Sequence, residues 1–174
     1  MRMWAIVAAA VLAGAGAAQG QELRADMYLI TPGAADQPIG QVLITSSGAG
    51  TKFVADLHGL PPGQHGFHVH ENGDCGPGPD AAGTTAPGMA AGGHYDPERT
   101  AAHRGPEGNG HLGDLPFLTV QPDGRGAGEA FAPRIKDAPQ LKGRVLVLHA
   151  GGDNYSDTPA AGGGGARIAC GIIQ

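Results

Sequence analysis

The chain contains few basic residues. Lysine and arginine account for 11 of its 174 residues, against 16 acidic residues, and the formal net charge is −5 at pH 7. A nucleic-acid-binding domain needs clustered Lys and Arg side chains that neutralise phosphates. The composition offers no such footprint, which excludes nucleic acid as a partner.

Long apolar runs are missing beyond the N-terminal segment, so no later part of the chain is expected to cross a membrane. At the N-terminus, Arg2 precedes an uncharged, alanine-rich stretch over 5–18 that is too short to span a bilayer well. Small residues at Gly16-Ala17-Ala18 and Ala18-Gln19-Gly20 match the pattern at signal cleavage sites. We expect residues 1–20 to be a signal peptide and residues 21–174 to be one secreted domain, with no stable membrane insertion after cleavage. A membrane anchor is the alternative.

Cysteine is also scarce, with only Cys75 and Cys170 in the chain. A secretory signal implies an oxidising compartment, where an even pair of cysteines is most simply a disulfide. Two free thiols are the alternative. A bridge across this separation would restrict the unfolded chain by about 4 to 5 kcal/mol in the chain-entropy treatment.

Helical periodicity and internal repeats are absent as well. The 32 glycines and 14 prolines separate short hydrophobic runs and do not form low-complexity tracts. Alternation of polar and apolar residues predicts eight strands, near 24–31, 39–47, 51–59, 66–70, 115–121, 127–132, 144–149 and 167–173. Two connections are too long to be turns, the first long loop (71–114) and the second long loop (150–166), and such loops are usually functional. The sequence therefore predicts an all-β antiparallel sandwich or barrel with a site on its loops.

What the chain does have is a concentration of histidine. His68 and His70 alternate with Phe67 and Val69 in a strand-like run, so the two imidazoles are expected to share one face. Further nitrogen and oxygen ligands are available downstream, at His94, His103, His111, Asp114 and His149. This pattern predicts a secreted metalloprotein and favours a redox enzyme. His58 and His65 are interpreted as structural or exposed residues, not as ligands.

The motifs around these residues resemble those of the copper/zinc superoxide dismutases. The resemblance covers nearly the whole mature chain, in the order Gly66-Phe67-His68-Val69-His70-Glu71, Gly93-His94-Tyr95-Asp96-Pro97, His111-Leu112-Gly113-Asp114-Leu115, Leu146-Val147-Leu148-His149-Ala150-Gly151-Gly152-Asp153 and Gly165-Ala166-Arg167-Ile168-Ala169-Cys170-Gly171. The insertion at 75–91 and the glycine run at 162–165 are similar to the periplasmic bacterial branch of that family.

This resemblance implies an eight-stranded Greek-key β-barrel that disproportionates superoxide, a small anion, to dioxygen and hydrogen peroxide in the bacterial periplasm, reached by secretion through the inner membrane. Copper would be bound by His68, His70, His94 and His149, and zinc by His94, His103, His111 and Asp114. His94 would bridge the metals and donate a proton. Asp153 would hydrogen-bond His68 and His103, Arg167 would guide the substrate, and Cys75 would pair with Cys170.

Other interpretations remain open at this point. The chain could be a periplasmic copper/zinc carrier without turnover, or a purely structural secreted β-domain, and it could be a monomer or a homodimer. Asp153 could merely cap a turn, and Arg167 could be a solvated charge at the start of a strand. Arg167 is the only cation in 150–174. Additional positive charge for attracting the substrate would have to come from elsewhere in the chain, with Arg104, Arg134, Lys136 and Lys142 as candidates.

Overall fold

The computed structural model describes residues 22–33 and 36–174, so the expected signal peptide lies outside the described residues. Within those ranges the chain has strands and three short 3-10 turns but no α-helix. None of the helical segments in the described ranges is long and apolar enough to cross a membrane. The strands are β1 (Leu23–Leu29), β2 (Pro38–Ser47), β3 (Gly50–Leu57), β4 (Gly63–His65), β5 (Phe67–His70), β6 (Gly78–Pro79), β7 (Thr85–Ala86), β8 (Leu118–Val120), β9 (Gly126–Ala132), β10 (Val145–His149) and β11 (Arg167–Ile172).

Seven strands form one antiparallel sheet in the order β5-β10-β11-β1-β2-β3-β9. The alternation in the sequence explains why each strand keeps its register. In β3, for example, Phe53, Ala55 and Leu57 are buried, while the alternate residues Lys52, Val54 and Asp56 are exposed. A slip of one residue would turn the whole apolar set into solvent, so the pattern fixes the pairing with both neighbours.

The sheet curls because its two ends are linked through a small second sheet. β5 continues directly from β4 through Gly66, β4 pairs with β8, and β8 lies beside β9 at the other end of the main sheet. The connections from β3 to β4 and from β9 to β10 join strands that are not neighbours, which is the Greek-key arrangement. The predicted all-β antiparallel Greek-key fold is confirmed.

The interior of the barrel is filled by aliphatic side chains around two phenylalanines. Phe53 and Phe67 meet edge to face with ring centroids 6.3 Å apart, and both are fully buried. Each fully buried side chain of this size stabilises the fold by about 1.5 to 3 kcal/mol relative to an exposed one. Because Phe67 and Val69 belong to this core, the alternate residues of β5 point out of the barrel, beneath the loops.

All eight predicted strands are present, with two differences in length. The strand expected at 66–70 is β5, which begins at Phe67, since the Gly66 amide donates to Gly151 and its carbonyl accepts from His149. The short strand β4 before it was not predicted. The strand expected at 115–121 is reduced to β8, because Pro116 has no amide hydrogen to offer a partner strand.

Inside the first long loop, the hairpin of β6 and β7 was not predicted. The Asp80 carboxylate closes its turn by accepting from the amides of Ala82 and Thr84, 2.9 and 2.8 Å away. A disulfide joins Cys75 of this loop to Cys170 of β11, with the Cα atoms 5.8 Å apart. The loop is therefore tied covalently to the main sheet.

Candidate metal centre

Strand β5 provides the first two histidines of the site. His68 and His70 project from the face opposite Phe67 and Val69, and all four residues are fully buried. Burial on both faces of a strand requires a cover on each side. The barrel core covers one face, and the two long loops cover the other.

The first long loop reaches this face by pairing its backbone with the free edge of β5. The Tyr95 amide donates to the Val69 carbonyl, and the Val69 amide donates to Gly113, at 2.8 and 2.9 Å. As a result Asp114 lies opposite His68, and His94 lies opposite His70, in isolated β-bridges. Residues far apart in sequence are thereby brought next to the paired histidines by ordinary strand pairing.

Four imidazoles form the first group, in which the ligating atoms all lie within 4.8 Å of one another: His68, His70, His94 and His149. His149 comes from the neighbouring strand β10, at a bulge that shifts its register. His70 donates from Nδ1 to the Gly92 carbonyl at 3.0 Å, and His149 Nδ1 lies 3.3 Å from the Gly165 carbonyl. Both Nε2 atoms then present lone pairs, and they face each other at 3.4 Å. Two lone pairs at this distance repel unless a cation lies between them.

Three imidazoles and one carboxylate form the second group: His94, His103, His111 and Asp114. Oδ1 of Asp114 lies 2.9, 3.0 and 3.3 Å from Nδ1 of His94, His103 and His111 respectively. Ligands about 2.0 to 2.1 Å from a tetrahedral zinc ion are about 3.3 Å apart. The spacing of this group therefore suits zinc, and its three nitrogens and one oxygen are a donor set that zinc commonly takes.

Asp153 of the second long loop connects the two groups. Its Oδ2 accepts from Nε2 of His68 at 2.7 Å, and its Oδ1 accepts from Nε2 of His103 at 2.8 Å. Gly162 leaves room for this carboxylate, because a Cβ atom there would lie 1.9 Å from Asp153 Oδ1. The side chain of Asp153 is completely buried.

The hydrogen bonds to Asp153 decide which nitrogen of each ring is free. A carboxylate only accepts, so His68 and His103 each carry a proton on Nε2, and Nδ1 is the atom left to bind a metal. These two Nδ1 atoms are buried and have no hydrogen-bond partner among the described residues. Asp114 Oδ1 is close to His103 Nδ1 but lies off the direction needed for a hydrogen bond. Buried polar atoms without partners are costly, and metal ions at these positions would satisfy both.

The electrostatics of the first group favour neutral imidazoles. Burial lowers the pKa of His70 and His149 well below the usual histidine value. Burial also lowers the pKa of His94, to about 4, against the opposing effect of its contact with Asp114. Neutral imidazole is the form that binds a metal, so this group is prepared for binding near pH 7.

The carboxylates respond to the histidines around them. Burial alone would raise the pKa of Asp114 and Asp153, but the adjacent histidine rings, His103 foremost, hold both pKa values well below the usual range. Burial alone would lower the pKa of His103, but the two carboxylates outweigh it and raise the pKa to about 9. The second group therefore concentrates negative charge where a cation would bind.

Arg167 begins β11 beside the first group. Its guanidinium donates from Nη1 to the Gly88 carbonyl and from Nη2 to the Gly92 carbonyl, each at 2.6 Å. The side chain is half-buried, and this burial lowers the pKa of Arg167. It is thus a positioned cation at the edge of the site and not a freely solvated charge.

The remaining histidines take the roles predicted for them. His58 is exposed. His65 is buried, and its two ring nitrogens lie 2.7 and 2.8 Å from the carbonyl oxygens of His149 and Pro61. His65 therefore braces the backbone beneath the site and belongs to neither group of ligands.

The candidate steering cations are largely engaged elsewhere. Arg104 forms an ion pair with Asp157, Arg134 donates to the carbonyls of Gly110 and His111, and Lys136 donates to Ala49.

Two contacts of the second long loop were not predicted, those of Asp157 and of Tyr155. Tyr155 was interpreted as a packing residue, and it does stack on Phe117, but its hydroxyl also accepts from the Phe117 amide at 3.1 Å.

Comparison with known proteins agrees with this geometry. The family model described as Copper/zinc superoxide dismutase (SODC) matches residues 39–173. The chain is 44% identical over 175 residues to superoxide dismutase [Cu-Zn] of Escherichia coli K12, covering 100% of both chains. It superposes on the Cu/Zn superoxide dismutase from Brucella abortus with a TM-score of 0.83 and 46% identity, covering 88% of this chain and 100% of that one. The monomeric copper, zinc superoxide dismutase from Salmonella enterica gives a TM-score of 0.76 and 46% identity, with the same coverage.

Proposed function

This chain belongs to the copper/zinc superoxide dismutase family, and we propose that its two groups of ligands divide the metals between them. Copper is assigned to His68, His70, His94 and His149, and zinc to His94, His103, His111 and Asp114. The observation that carries this assignment is the pair of buried, unpartnered Nδ1 atoms, one in each group. Each would become a metal ligand without any change of hydrogen bonding elsewhere.

The protein is an oxidoreductase that converts two superoxide anions and two protons to dioxygen and hydrogen peroxide. Bound copper supplies the exchange of one electron with each superoxide, whereas zinc has no redox change. The enzyme names of the relatives, together with the full set of ligands, favour turnover over the carrier and the purely structural interpretations.

His94 is the one residue that belongs to both groups. Its Nδ1 lies 2.9 Å from Asp114 Oδ1, on the zinc side, which leaves Nε2 for the copper side. In this proposal His94 would be a ligand to both metals, and whenever Nε2 is not bound to copper it would hold one of the two protons that leave with the peroxide. The Asp114 carboxylate keeps the ring oriented for that transfer.

Arg167 receives the substrate. Two of its five N–H donors are used on backbone carbonyls, and the others remain for an incoming anion. Since the whole chain is net negative, approach of superoxide depends on local positive charge. Arg167 is the cation of the described residues that the fold fixes at the first group.

We further propose that residues 1–20 form a signal peptide and that the domain 21–174 works in the periplasm. The relatives are bacterial enzymes, and the apolar N-terminal segment with its small-residue cleavage pattern supports export. The monomeric state named for the Salmonella relative supports a monomer over a homodimer as the form in solution.

The division of metals is tested by two variants compared with a control. Asp114→Ala opens only the zinc group, so zinc should be lost and copper kept. His149→Ala opens only the copper group, so zinc should be kept and turnover abolished. His58→Ala, which alters an exposed histidine, should change neither. Metal content measured by mass spectrometry and superoxide turnover decide the matter, and loss of copper with retention of zinc in Asp114→Ala would reverse the assignment.

A further inference from the structure

His103 is held by two carboxylates from the same loop. Asp153 accepts from its ring Nε2 at 2.8 Å, and Asp157, four residues later, accepts from its backbone amide through Oδ1 at 2.7 Å. Asp153 therefore fixes the rotation of the ring, and Asp157 fixes the backbone that carries it. Only the first of these contacts corresponds to a role expected from the sequence.

The backbone contact is significant because His103 lies outside regular structure. His68, His70 and His149 lie on strands of the main sheet, whose ladders hold their Cα atoms in place. The segment around His103 has no strand or helix, and Ala101 just before it has a positive φ of 50°. A residue in an irregular segment depends on individual hydrogen bonds to keep its position.

A short network extends from Asp157 on the other side of the same residue. Its Oδ2 pairs with Nη1 of Arg104, and that nitrogen also donates to the His103 carbonyl at 2.8 Å. The Arg104 amide donates to Oδ2 of Asp114 at 3.1 Å. The peptide groups on both sides of His103 are thus connected to carboxylates, one in each long loop.

We propose that Asp157 is a positioning residue for the zinc ligand His103. It holds the His103 backbone amide so that Nδ1 of the ring points into the zinc group, and it connects that ligand to the second long loop. This inference rests on the proposed assignment of His103 to zinc. The contribution is the hydrogen bond to the amide, and the exposed ion pair with Arg104 is secondary, because exposed pairs contribute little.

Loss of Asp157 should not release the whole loop. Asp153 remains buried between His68 and His103, and Tyr155 remains bound to Phe117 through its hydroxyl and its ring. The loop is also held across its own base, where the Asn154 amide donates to Gly162. A change in zinc binding on removal of Asp157 would therefore report on the His103 backbone and not on unfolding of the loop.

Three variants separate the hydrogen bond from the ion pair. Asp157→Ala removes both. Asp157→Asn keeps a carbonyl oxygen for the His103 amide but removes the charge. Arg104→Ala removes the ion pair and the hydrogen bond from Nη1 to the His103 carbonyl, and it leaves the Asp157 carboxylate in place. Asp56→Ala is a matched control, because Asp56 forms a comparable exposed pair with Arg125 far from the site, at 3.2 Å.

Two measurements are made on the mature chain loaded with copper and zinc. Release of zinc to a zinc-selective chelator should be about tenfold faster in Asp157→Ala, the lower end of the range for groups that support metal ligands. It should stay within about threefold of the parent in the other three variants. With cobalt in place of zinc, the visible absorption of the tetrahedral ion should shift in Asp157→Ala alone.

Parent-like zinc release and an unchanged cobalt spectrum in Asp157→Ala would overturn the inference. Equally fast release of zinc from Asp157→Ala and Arg104→Ala would also overturn the inference, because the effect would then come from the ion pair. If Asp157→Ala does not fold, Asp157→Asn keeps the inference falsifiable, because rapid release of zinc from that variant would overturn it. A parent protein that binds no zinc would instead contradict the proposed function, which separates the two failures.

Discussion

His70 and Arg167 donate to the same carbonyl oxygen, that of Gly92, at 3.0 and 2.6 Å. In the proposed assignment, His70 is a copper ligand and Arg167 is the cation that contacts the substrate. Gly92 is in a left-handed conformation with φ 74°, and a Cβ atom there would lie 2.6 Å from Oε1 of Glu71. A single peptide therefore sets the orientation of the metal ligand and the position of the anion-binding group.

Arg167→Ala should slow turnover about tenfold to a hundredfold, because a charge-assisted hydrogen bond contributes about 1.5 to 3 kcal/mol. Copper content should stay the same, since a guanidinium has no lone pair to give a metal. Rates measured by pulse radiolysis across a series of salt concentrations should fall with salt in the parent. In the variant this dependence should flatten or reverse, because the remaining net charge repels superoxide.

A matched control for this variant is Arg125→Ala, which removes the same charge from an exposed pair on the barrel surface. It should leave the rate at low salt close to that of the parent. Equal rates for Arg167→Ala and the parent, with copper fully bound, would mean that Arg167 does not contact the substrate.

Gly162→Ala should displace Asp153, since the added Cβ would lie 1.9 Å from Oδ1 of that carboxylate. Both His68 and His103 would lose their partner, so we expect weaker retention of copper and of zinc, by about 10- to 100-fold in affinity. Gly163→Ala is the comparison. It adds the same strain of a positive φ, 82° against 70°, but meets nothing closer than 3.6 Å. If both variants release metal equally, backbone strain and not the clash is responsible.

Cys75→Ser should lower the thermal midpoint by on the order of 10 °C, because the bridge to Cys170 closes a sequence separation of 95 residues. It should also weaken copper retention, since the bridge ties the first long loop, which carries His94, to the main sheet. Cys170→Ser should have the same effect as Cys75→Ser. Thiol titration of the denatured, unreduced parent should find no free thiol, and two thiols per chain would contradict the pairing.

The metal-free protein should lose stability as the pH falls below about 6.5. Burial lowers the folded-state pKa of His70, His94 and His149, so the unfolded chain takes up protons first and unfolding becomes easier in acid. For His94 this loss continues down to its folded pKa of about 4. Urea midpoints of chelator-treated protein between pH 7.5 and 4.5 measure the effect. His70→Gln should reduce the fall of the urea midpoint at low pH, and His58→Ala should not. A midpoint in the parent that does not change with pH would contradict the prediction.

Much of the site is predictable because it depends on the alternation of side chains along one strand. Alternation in β5 puts His68 and His70 on one face whatever the rest of the chain does. The order of the other ligands in the family motifs then identifies Asp114 and His149 as candidates. The structure brings every predicted ligand into one of the two groups.

What the sequence does not provide is the set of contacts that depend on loop conformation. Asp157 and Asp153 are both aspartates in a polar loop, and their different partners follow only from how 150–166 folds back. The hairpin of β6 and β7 is similar, since two-residue strands leave no periodicity to detect. The break between β4 and β5 at Gly66 arises from hydrogen bonds to Gly151 and His149, which are distant in sequence.

In the main sheet, β1 lies between β2 and β11. During synthesis of the chain, β2 therefore follows β1 directly, whereas β11 is the last strand to be synthesised. Strand pairing over such a separation is slow, because the chain must close a long loop before any contact is gained. The copper group has the same dependence, since His149 lies some 80 residues after His68 and His70. A nascent chain that ends before His149 therefore holds no complete copper group. Metal binding and formation of the disulfide therefore come late, once the barrel is complete.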